Sequence, residues 1–153
     1  MIEVFNKIDK QFKSNENIII SKDENHIVIL NKNNKREIKI IKEEYKALNG
    51  SDEFIQYTVY FSYNHWHLDN INELLELIQN IINDEELSVQ FFKEDRESFG
   101  SGISIDNYNK LSLNFLSEYY GYSEEHLLEY DIEIISWSGT YDISRKPTKE
   151  LDK

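Results

Sequence analysis

The sequence predicts an α+β fold, in which helices pack on a mostly antiparallel sheet within a single domain. Three observations lead to this prediction: short runs rich in Ile and Val between turn formers, segments with apolar residues at helical spacing, and no internal repeat or low-complexity linker. The chain has 153 residues and no cysteine, and it is long enough to bury a core without disulfides. We expect one domain over residues 1–144 and a frayed tail over residues 145–153.

The beginning of the chain predicts a helix followed by a meander of three strands. From Ile2 onward, apolar residues recur every three or four positions, which indicates an amphipathic helix that ends near Ser14. Three runs rich in β-branched residues follow at Asn17–Ser21, His26–Asn31 and Glu37–Glu43. Because turn formers separate these runs, we expect neighbouring strands to pair antiparallel.

The segment Phe54–Leu68 predicts one long strand. It follows Leu48–Asp52, a cluster of residues that interrupt regular structure, and its aromatic and β-branched residues alternate. At this period, His65 and His67 continue the face that carries Val59, which is the expected core face.

The clearest helix follows this strand. Asn70 and Glu73 have the spacing of a capping box, so we expect the helix to begin directly after Asn70. Apolar residues then recur at helical spacing at Ile71, Leu74, Leu75, Ile78, Ile81 and Ile82. The pattern indicates an amphipathic helix with one buried face.

Two strands are predicted beyond this helix. Leu87–Lys93 alternates, and Phe99–Gly102 has the composition of a turn that leads into a further strand at Ile103–Ile105. The short glycine segment has neither a following Lys nor the length of a phosphate-binding loop, which favours the turn.

The remaining elements are two short helices and a closing strand. Leu111–Tyr119 fits the period of a strand and that of a helix, and we favour the helix. Ser123 has the position of an N-cap for a helix that reaches Tyr130. Asp131–Trp137 is expected to close the fold as a strand.

Negative charge is concentrated in one part of the chain, whose formal net charge is −12. Residues 1–46 contain ten Lys and Arg against eight Asp and Glu, whereas residues 47–144 contain three basic residues against nineteen acidic ones. Acidic charge keeps a protein soluble, but it also repels nucleic-acid phosphate and anionic lipid and attracts basic partners. The segregation favours a basic protein partner and argues against nucleic acid or a membrane as the ligand.

The apolar runs and the first residues predict a cytoplasmic protein. Met1–Phe12 mixes charged with apolar residues and lacks the apolar centre of a signal peptide. The longest apolar runs, such as Ile18–Ile20, are far shorter than the roughly twenty residues that a membrane span needs. The sequence leaves the oligomeric state open.

One cluster has the composition of a metal site. His65 and His67 alternate along a predicted strand, which places both imidazoles on one face, and the carboxylate of Asp69 follows. No H-E-x-x-H or similar motif accompanies them, and the other two histidines, His26 and His126, are remote in sequence. We therefore favour a core position for this face and expect neither a metal nor another cofactor.

No catalytic signature is present elsewhere. Without cysteine, a nucleophile would have to be Ser or Thr, and neither a G-x-S-x-G elbow nor a Ser-x-x-Lys pattern occurs. We expect that the protein is not an enzyme.

The residues expected to bind a partner are carboxylates around the middle helix and nearby aromatic residues. The carboxylates are Asp69, Glu73, Glu76, Asp84, Glu85 and Glu86, and the aromatic candidates are Trp66, Trp137 and Tyr141. The segment Ser136–Asp142 suits either a tight turn that buries Trp137 or a recognition loop, and the turn is favoured.

The order of these segments resembles that of a known class of proteins. With Tyr63–Asp69 leading into Asn70–Asp84, then Leu87–Phe92 and the closing Trp137–Gly139, the chain resembles the small acidic immunity proteins of bacterial polymorphic toxin systems. The resemblance covers size, acidity and strand–helix–strand order over most of the chain. It implies a cytoplasmic bacterial protein that neutralises a cognate basic toxin, often a nuclease, by occluding its active site, without a cofactor.

Two other functions remain as alternatives. One is a metal-dependent enzyme that uses His65, His67 and Asp69, which metal content would distinguish. The other is a phage-type inhibitor that mimics DNA by spacing carboxylates like phosphates, which broad effects on unrelated DNA-binding proteins would distinguish.

Overall fold

The computed structural model describes residues 1–46, 53–94 and 96–145. The chain divides into two units, Met1–Asn80 and Ile81–Lys153, and the described strands form one antiparallel sheet in each. The α+β class and the antiparallel pairing are confirmed, whereas the expectation of one sheet is wrong. The predicted single domain over residues 1–144 stays a prediction. The predicted tail lies outside the described residues except for Arg145, which ends the last strand.

The first unit consists of a five-stranded sheet with a helix before it and a helix after it. Its elements are α1 (Ile2–Phe12), β1 (Ile18–Lys22), β2 (His26–Asn31), β3 (Glu37–Lys46), β4 (Glu53–Phe61), β5 (Asn64–Leu68) and α2 (Ile71–Ile82), which ends just inside the second unit. The strand order is β1-β2-β3-β4-β5, and every neighbouring pair is antiparallel. The predicted first helix, three-strand meander and second helix are confirmed, while Leu48–Asp52 lies outside the described residues.

The core of the first unit lies on one face of this sheet. Its buried strand residues are Ile18, Ile27, Ile29, Ile38, Ile40, Tyr57, Val59 and Phe61. The helices contribute buried stripes, with Val4, Ile8 and Phe12 on α1 and Leu74 and Ile78 on α2. Gln11 Nε2 on α1 donates to Gln79 Oε1 on α2 at 3.2 Å, so the two helices approach each other at these side chains. Each fully buried Ile, Leu or Phe stabilises the fold by about 1.5–3 kcal/mol relative to an exposed one.

The predicted long strand Phe54–Leu68 is instead a hairpin of β4 and β5. Phe61 pairs with Asn64, so the turn consists of two residues, and Ser62 adopts a positive φ of 54° there. The turn continues the polar–aromatic alternation of the strands, so periodicity alone does not reveal it. It also exchanges the faces: His65 and His67 lie with Tyr60 and Thr58 on the outer face, and the predicted core position of both histidines is wrong.

The second unit consists of a four-stranded sheet and three short helices. Its elements are β6 (Glu86–Lys93), β7 (Arg96–Ser104), α3 (Ile105–Tyr108), α4 (Leu113–Tyr120), α5 (Glu124–Leu127), β8 (Asp131–Ile135) and β9 (Ile143–Arg145). The strand order is β7-β6-β8-β9, again antiparallel throughout. One face of the sheet packs against the helices in a core formed by Leu87, Val89, Phe91, Ile103, Leu113, Leu116, Leu127, Tyr130, Ile132 and Ile134.

The predicted turn at Phe99–Gly102 is wrong, because these residues lie within β7. Gly100 pairs with Gln90 of β6. A Cβ atom on Gly100 would collide with the carbonyl oxygen of Val89. The glycine therefore permits a close approach between two strands, a role that composition does not distinguish from a turn.

Serine caps define the helices α4 and α5. Ser112 Oγ accepts a hydrogen bond from the backbone N–H of Phe115 at 3.0 Å, and Ser123 Oγ accepts one from His126 at 3.2 Å. The favoured helix within Leu111–Tyr119 and the N-cap at Ser123 are confirmed. The second helix is shorter than expected, since α5 ends at Leu127.

Candidate partner-binding surfaces

Three of the predicted partner residues lie on or just before the first turns of α2. Asp69, Glu73 and Glu76 are exposed. Asn70 Oδ1 caps the helix by accepting hydrogen bonds from the backbone N–H groups of Asn72 at 3.0 Å and Glu73 at 2.9 Å. The positive end of the helix dipole favours carboxylates at this position, so α2 presents an acidic surface whose charges also stabilise the helix.

Trp66 is not an exposed anchor. It lies opposite Val59 in the β4–β5 hairpin, on the face that carries the core, and it is half-buried. The two-residue turn that moves the histidines outward moves Trp66 inward. Trp66 thus contributes to packing, and its predicted contact with a partner stays a prediction.

Asp84 is a structural carboxylate. Its side chain is buried, and Oδ1 accepts a hydrogen bond from the backbone N–H of Ser138 at 2.9 Å. A buried carboxylate that is held in this way fastens the chain after α2 to the loop after β8, both within the second unit. The prediction that Asp84 meets a partner is wrong because the protein itself occupies this oxygen.

The segment Ser136–Asp142 is a tight turn, as favoured, and Trp137 is 4% exposed. Asp142 Oδ1 accepts hydrogen bonds from the N–H of Ser136 at 3.0 Å and from its hydroxyl at 3.2 Å. Ser136 Oγ in turn accepts from the N–H groups of Gly139 and Tyr141, both at 3.1 Å. Because Trp137 is buried, its predicted role as an exposed anchor is wrong.

Tyr141, Glu85 and Glu86 remain at least partly accessible. Tyr141 is half-buried, with its ring 5.4 Å from that of Tyr108. Glu85 is exposed, and its carbonyl accepts the N–H of Ile105 at 3.0 Å. Glu86 is half-buried, and burial raises the pKa of its carboxyl group.

Replacing Glu86 by glutamine is expected to stabilise the protein at neutral pH. Because the folded pKa of Glu86 lies above the unfolded value, the folded state binds more protons between these two values. The free energy of unfolding of the native protein therefore falls as the pH rises from the unfolded to the folded pKa of Glu86. The Glu86→Gln variant has no group that titrates at this position, so it keeps this stability. Urea unfolding as a function of pH should give an advantage for the variant at pH 7 that vanishes below about pH 4. A Glu85→Gln control at the exposed neighbour should show little advantage, and equal curves for Glu86→Gln and the native chain would contradict this assignment.

His65 and His67 form an exposed pair on the outer face of the first sheet. Their ring centroids are 5.0 Å apart, at an interplanar angle of 83°. Asp69 lies beyond the end of β5, and among the described residues no three His, Asp or Glu side chains are grouped closely enough to hold a metal ion. The structure thus brings the two histidines together but does not add the predicted third ligand.

The second unit carries a surface that the sequence analysis did not single out. The exposed acidic and tyrosine residues of α4, α5 and the turn between them are Glu118, Tyr119, Tyr122, Glu124 and Glu125, and we call them the acidic–aromatic surface. The exposed fractions of Tyr119 and Tyr122 are 44% and 40%. Both tyrosine rings pack against less exposed aromatic rings.

These ring contacts run through Phe99 and Tyr120. The centroid of Tyr120 is 5.1 Å from that of Tyr119 and 5.7 Å from that of Phe99, which lies 4.7 Å from Tyr122. Burial raises the pKa of Tyr120 to about 12, and its hydroxyl lies 2.9 Å from Ser101 Oγ. The exposed rings therefore rest on a neutral, packed aromatic layer and lose little conformational entropy when a partner binds.

No basic side chain neutralises this surface within the described chain. Residues 111–144 contain seven carboxylates and no Lys or Arg. Among the described ion pairs, none involves Glu118, Glu124 or Glu125. The absence of Lys and Arg from residues 111–144 can be read from the sequence. Only the fold shows that the exposed tyrosine rings lie beside the carboxylates.

A neighbouring site shows how this unit holds a cation. Lys93 Nζ lies 2.6 Å from Glu129 Oε2 and 5.5 Å from the centroid of the Tyr130 ring. The hydrogen bond raises the pKa of Lys93 and lowers the pKa of Glu129. These residues line an open cavity of about 350 Å³. Carboxylate and tyrosine ring together are thus a cation-binding pair in this protein.

No known family model, no curated protein and no solved structure matches this chain. Within the described ranges, none of the helices has both the length and the apolar character that a membrane-spanning helix requires.

Proposed function

We propose that this chain is a non-enzymatic binding protein that holds a basic protein partner on its acidic–aromatic surface. The observation that carries the proposal is that three glutamates outside every described ion pair lie together with two exposed tyrosines on α4, α5 and the turn between them. Carboxylates attract Lys and Arg and speed association, while tyrosine rings stack on guanidinium groups and exclude water at the centre of an interface.

The partner chemistry most consistent with this surface is a cluster of arginines or lysines, such as lines the active site of a nuclease. The protein would then act as an immunity protein in the cytoplasm of a bacterial cell and occlude the active site of its cognate toxin. The resemblance in size, acidity and element order supports this form of the proposal. No cofactor takes part in it.

The test begins with affinity capture from a lysate of the source organism at low and at moderate salt, followed by purification of the partner. Binding of the purified partner is then measured with a surface variant, Glu118→Lys/Glu124→Lys/Glu125→Lys. We expect affinity to fall about 100-fold or more, because each new lysine replaces an attraction by a repulsion next to the tyrosine anchors. Circular dichroism confirms that the variant is folded.

The matched control is Asp69→Lys/Glu73→Lys/Glu76→Lys, which changes the net charge equally and also alters the start of a helix, α2. It should weaken binding less than about tenfold, since it changes only long-range attraction. Equal losses in both variants would assign binding to net charge and refute the surface. A larger loss in the control would place the partner on α2.

The immunity role has its own test. The captured partner, expressed alone in a host cell, should stop growth, and co-expression of the native chain should restore it where the surface variant does not. A partner that is harmless to the host would refute the immunity role even if it binds the surface.

A further inference from the structure

On the outer face of the first sheet, the two histidine rings contact each other and a neighbouring tyrosine ring. His65 and His67 are exposed, and their rings are 5.0 Å apart. The ring of His65 also lies 5.7 Å from that of Tyr60, its cross-strand neighbour. Alternate positions on one strand aim both imidazoles in the same direction.

Hydrogen bonds from Glu43 through Thr58 to His67 determine which ring nitrogen of His67 carries the proton. Thr58, which is 1% exposed, donates its only hydroxyl proton to Glu43 Oε2 at 3.2 Å, since a carboxylate can only accept. The same oxygen of Thr58 lies 3.2 Å from His67 Nδ1 and must therefore accept a proton from it. Nδ1 of the neutral imidazole carries the hydrogen, and Nε2 keeps its lone pair for another ligand.

Glu43 is itself held in place. Its Oε2 also accepts the hydroxyl proton of Tyr45 at 2.8 Å, and the Tyr45 ring stacks on Phe54 with centroids 5.4 Å apart. The carboxylate is thus oriented toward Thr58 by a second donor on the same strand. A carboxylate that orients a histidine through its Nδ1 hydrogen is the arrangement that supports metal-ligating histidines in proteins.

We propose that His65 and His67 form a site for a divalent transition-metal ion such as Zn²⁺, with Glu43 and Thr58 as positioning residues. Two neutral imidazoles suit Zn²⁺, Ni²⁺ and Cu²⁺ and not Mg²⁺ or Ca²⁺, which prefer oxygen ligands. A separation of 5.0 Å between the ring centroids is short enough for one nitrogen of each imidazole to reach the same ion. Water completes the coordination, because the described residues provide no third protein ligand there. This site lies in the first unit and is independent of the acidic–aromatic surface.

The test is titration of the full chain with Zn²⁺ alone, followed by calorimetry and by NMR of the histidine rings. We expect one ion to bind and to shift the ring signals of His65 and His67. The variants His65→Ala and His67→Ala should each lose affinity at least about tenfold, because a single imidazole then remains. The matched controls His26→Ala and His126→Ala should bind as the native chain does, and Mg²⁺ in excess should not displace Zn²⁺.

The positioning role has a separate readout. Thr58→Val keeps the shape of the buried side chain but removes the acceptor of the Nδ1 hydrogen. Without metal, NMR should then show His67 as a mixture of both tautomers, and Zn²⁺ affinity should fall about tenfold. Absence of Zn²⁺-induced shifts at both histidines, or equal Zn²⁺ affinity in the native chain and in His65→Ala/His67→Ala, would overturn the proposal. A single Nδ1-H tautomer in Thr58→Val would overturn the positioning role.

Discussion

Replacing Phe91 by alanine is expected to lower the free energy of unfolding by about 3–5 kcal/mol, the range for truncation of a buried Phe. Phe91 is 0% exposed at the centre of the second sheet. Its ring stacks on that of Phe99 with centroids 4.4 Å apart and meets the edges of Tyr120 and Tyr130 at 5.1 and 6.4 Å. The variant loses apolar burial and leaves a cavity lined by three rings that are fixed on other elements and cannot close it.

Urea unfolding followed by circular dichroism measures this loss. The matched control is Leu128→Ala, because Leu128 is 38% exposed and its truncation should cost less than about 1 kcal/mol. The Phe91→Ala variant should also perturb the ring signals of Tyr119 and Tyr122, since the same aromatic layer supports the acidic–aromatic surface. A loss no larger than that of the control would contradict the proposed core.

Replacing Asp84 by alanine is expected to destabilise the protein by about 2–4 kcal/mol. About 1.5–3 kcal/mol of this comes from the hydrogen bond between the buried carboxylate and the Ser138 N–H, which is left without an acceptor. The rest comes from the backbone, because Asp84 has a φ of 59°, where an Asp is tolerated and an Ala is strained.

The variant Asp84→Asn removes the negative charge of the side chain but keeps the hydrogen bond to Ser138 and the tolerance of a positive φ. Asparagine keeps an oxygen acceptor for Ser138 and also tolerates a positive φ, so its cost should stay below about 1.5 kcal/mol. Both variants are compared by urea unfolding. If Asp84→Asn were as unstable as Asp84→Ala, the negative charge itself and not the hydrogen bond would hold the loop. An unchanged stability of Asp84→Ala would return Asp84 to the set of partner candidates.

Most of the helices and strands could be predicted from short-range sequence patterns. The helical spacing after Ile2 and Asn70, the three strands of the first meander, and the N-cap at Ser123 are all confirmed. These features depend on residues within a few positions of one another, and hydrophobic period and capping chemistry report on that range.

The residues of the acidic–aromatic surface were harder to predict from the sequence. The excess of carboxylates over residues 47–144 extends into the second unit, but none of the three aromatic residues chosen with them is fully exposed: Trp137 is buried, and Trp66 and Tyr141 are half-buried. Trp66 and Trp137 pack inward, whereas Tyr119 and Tyr122 face solvent. An aromatic residue suits a core and an interface equally well, so composition does not say which it will join.

By itself, the sequence determined the α+β class, most element positions and the acidic character of residues 47–144. Only the tertiary structure decided which side chains meet. A two-residue turn at Ser62 exchanged the faces of β5 and brought His67 to Thr58, and a hydrogen bond across 54 positions placed Asp84 inside. The hairpin turn is local, but the two-residue alternation continues through it, so the period does not show which face each residue of β5 joins. The hydrogen bond of Asp84 joins residues far apart in the chain, so no local pattern can specify it.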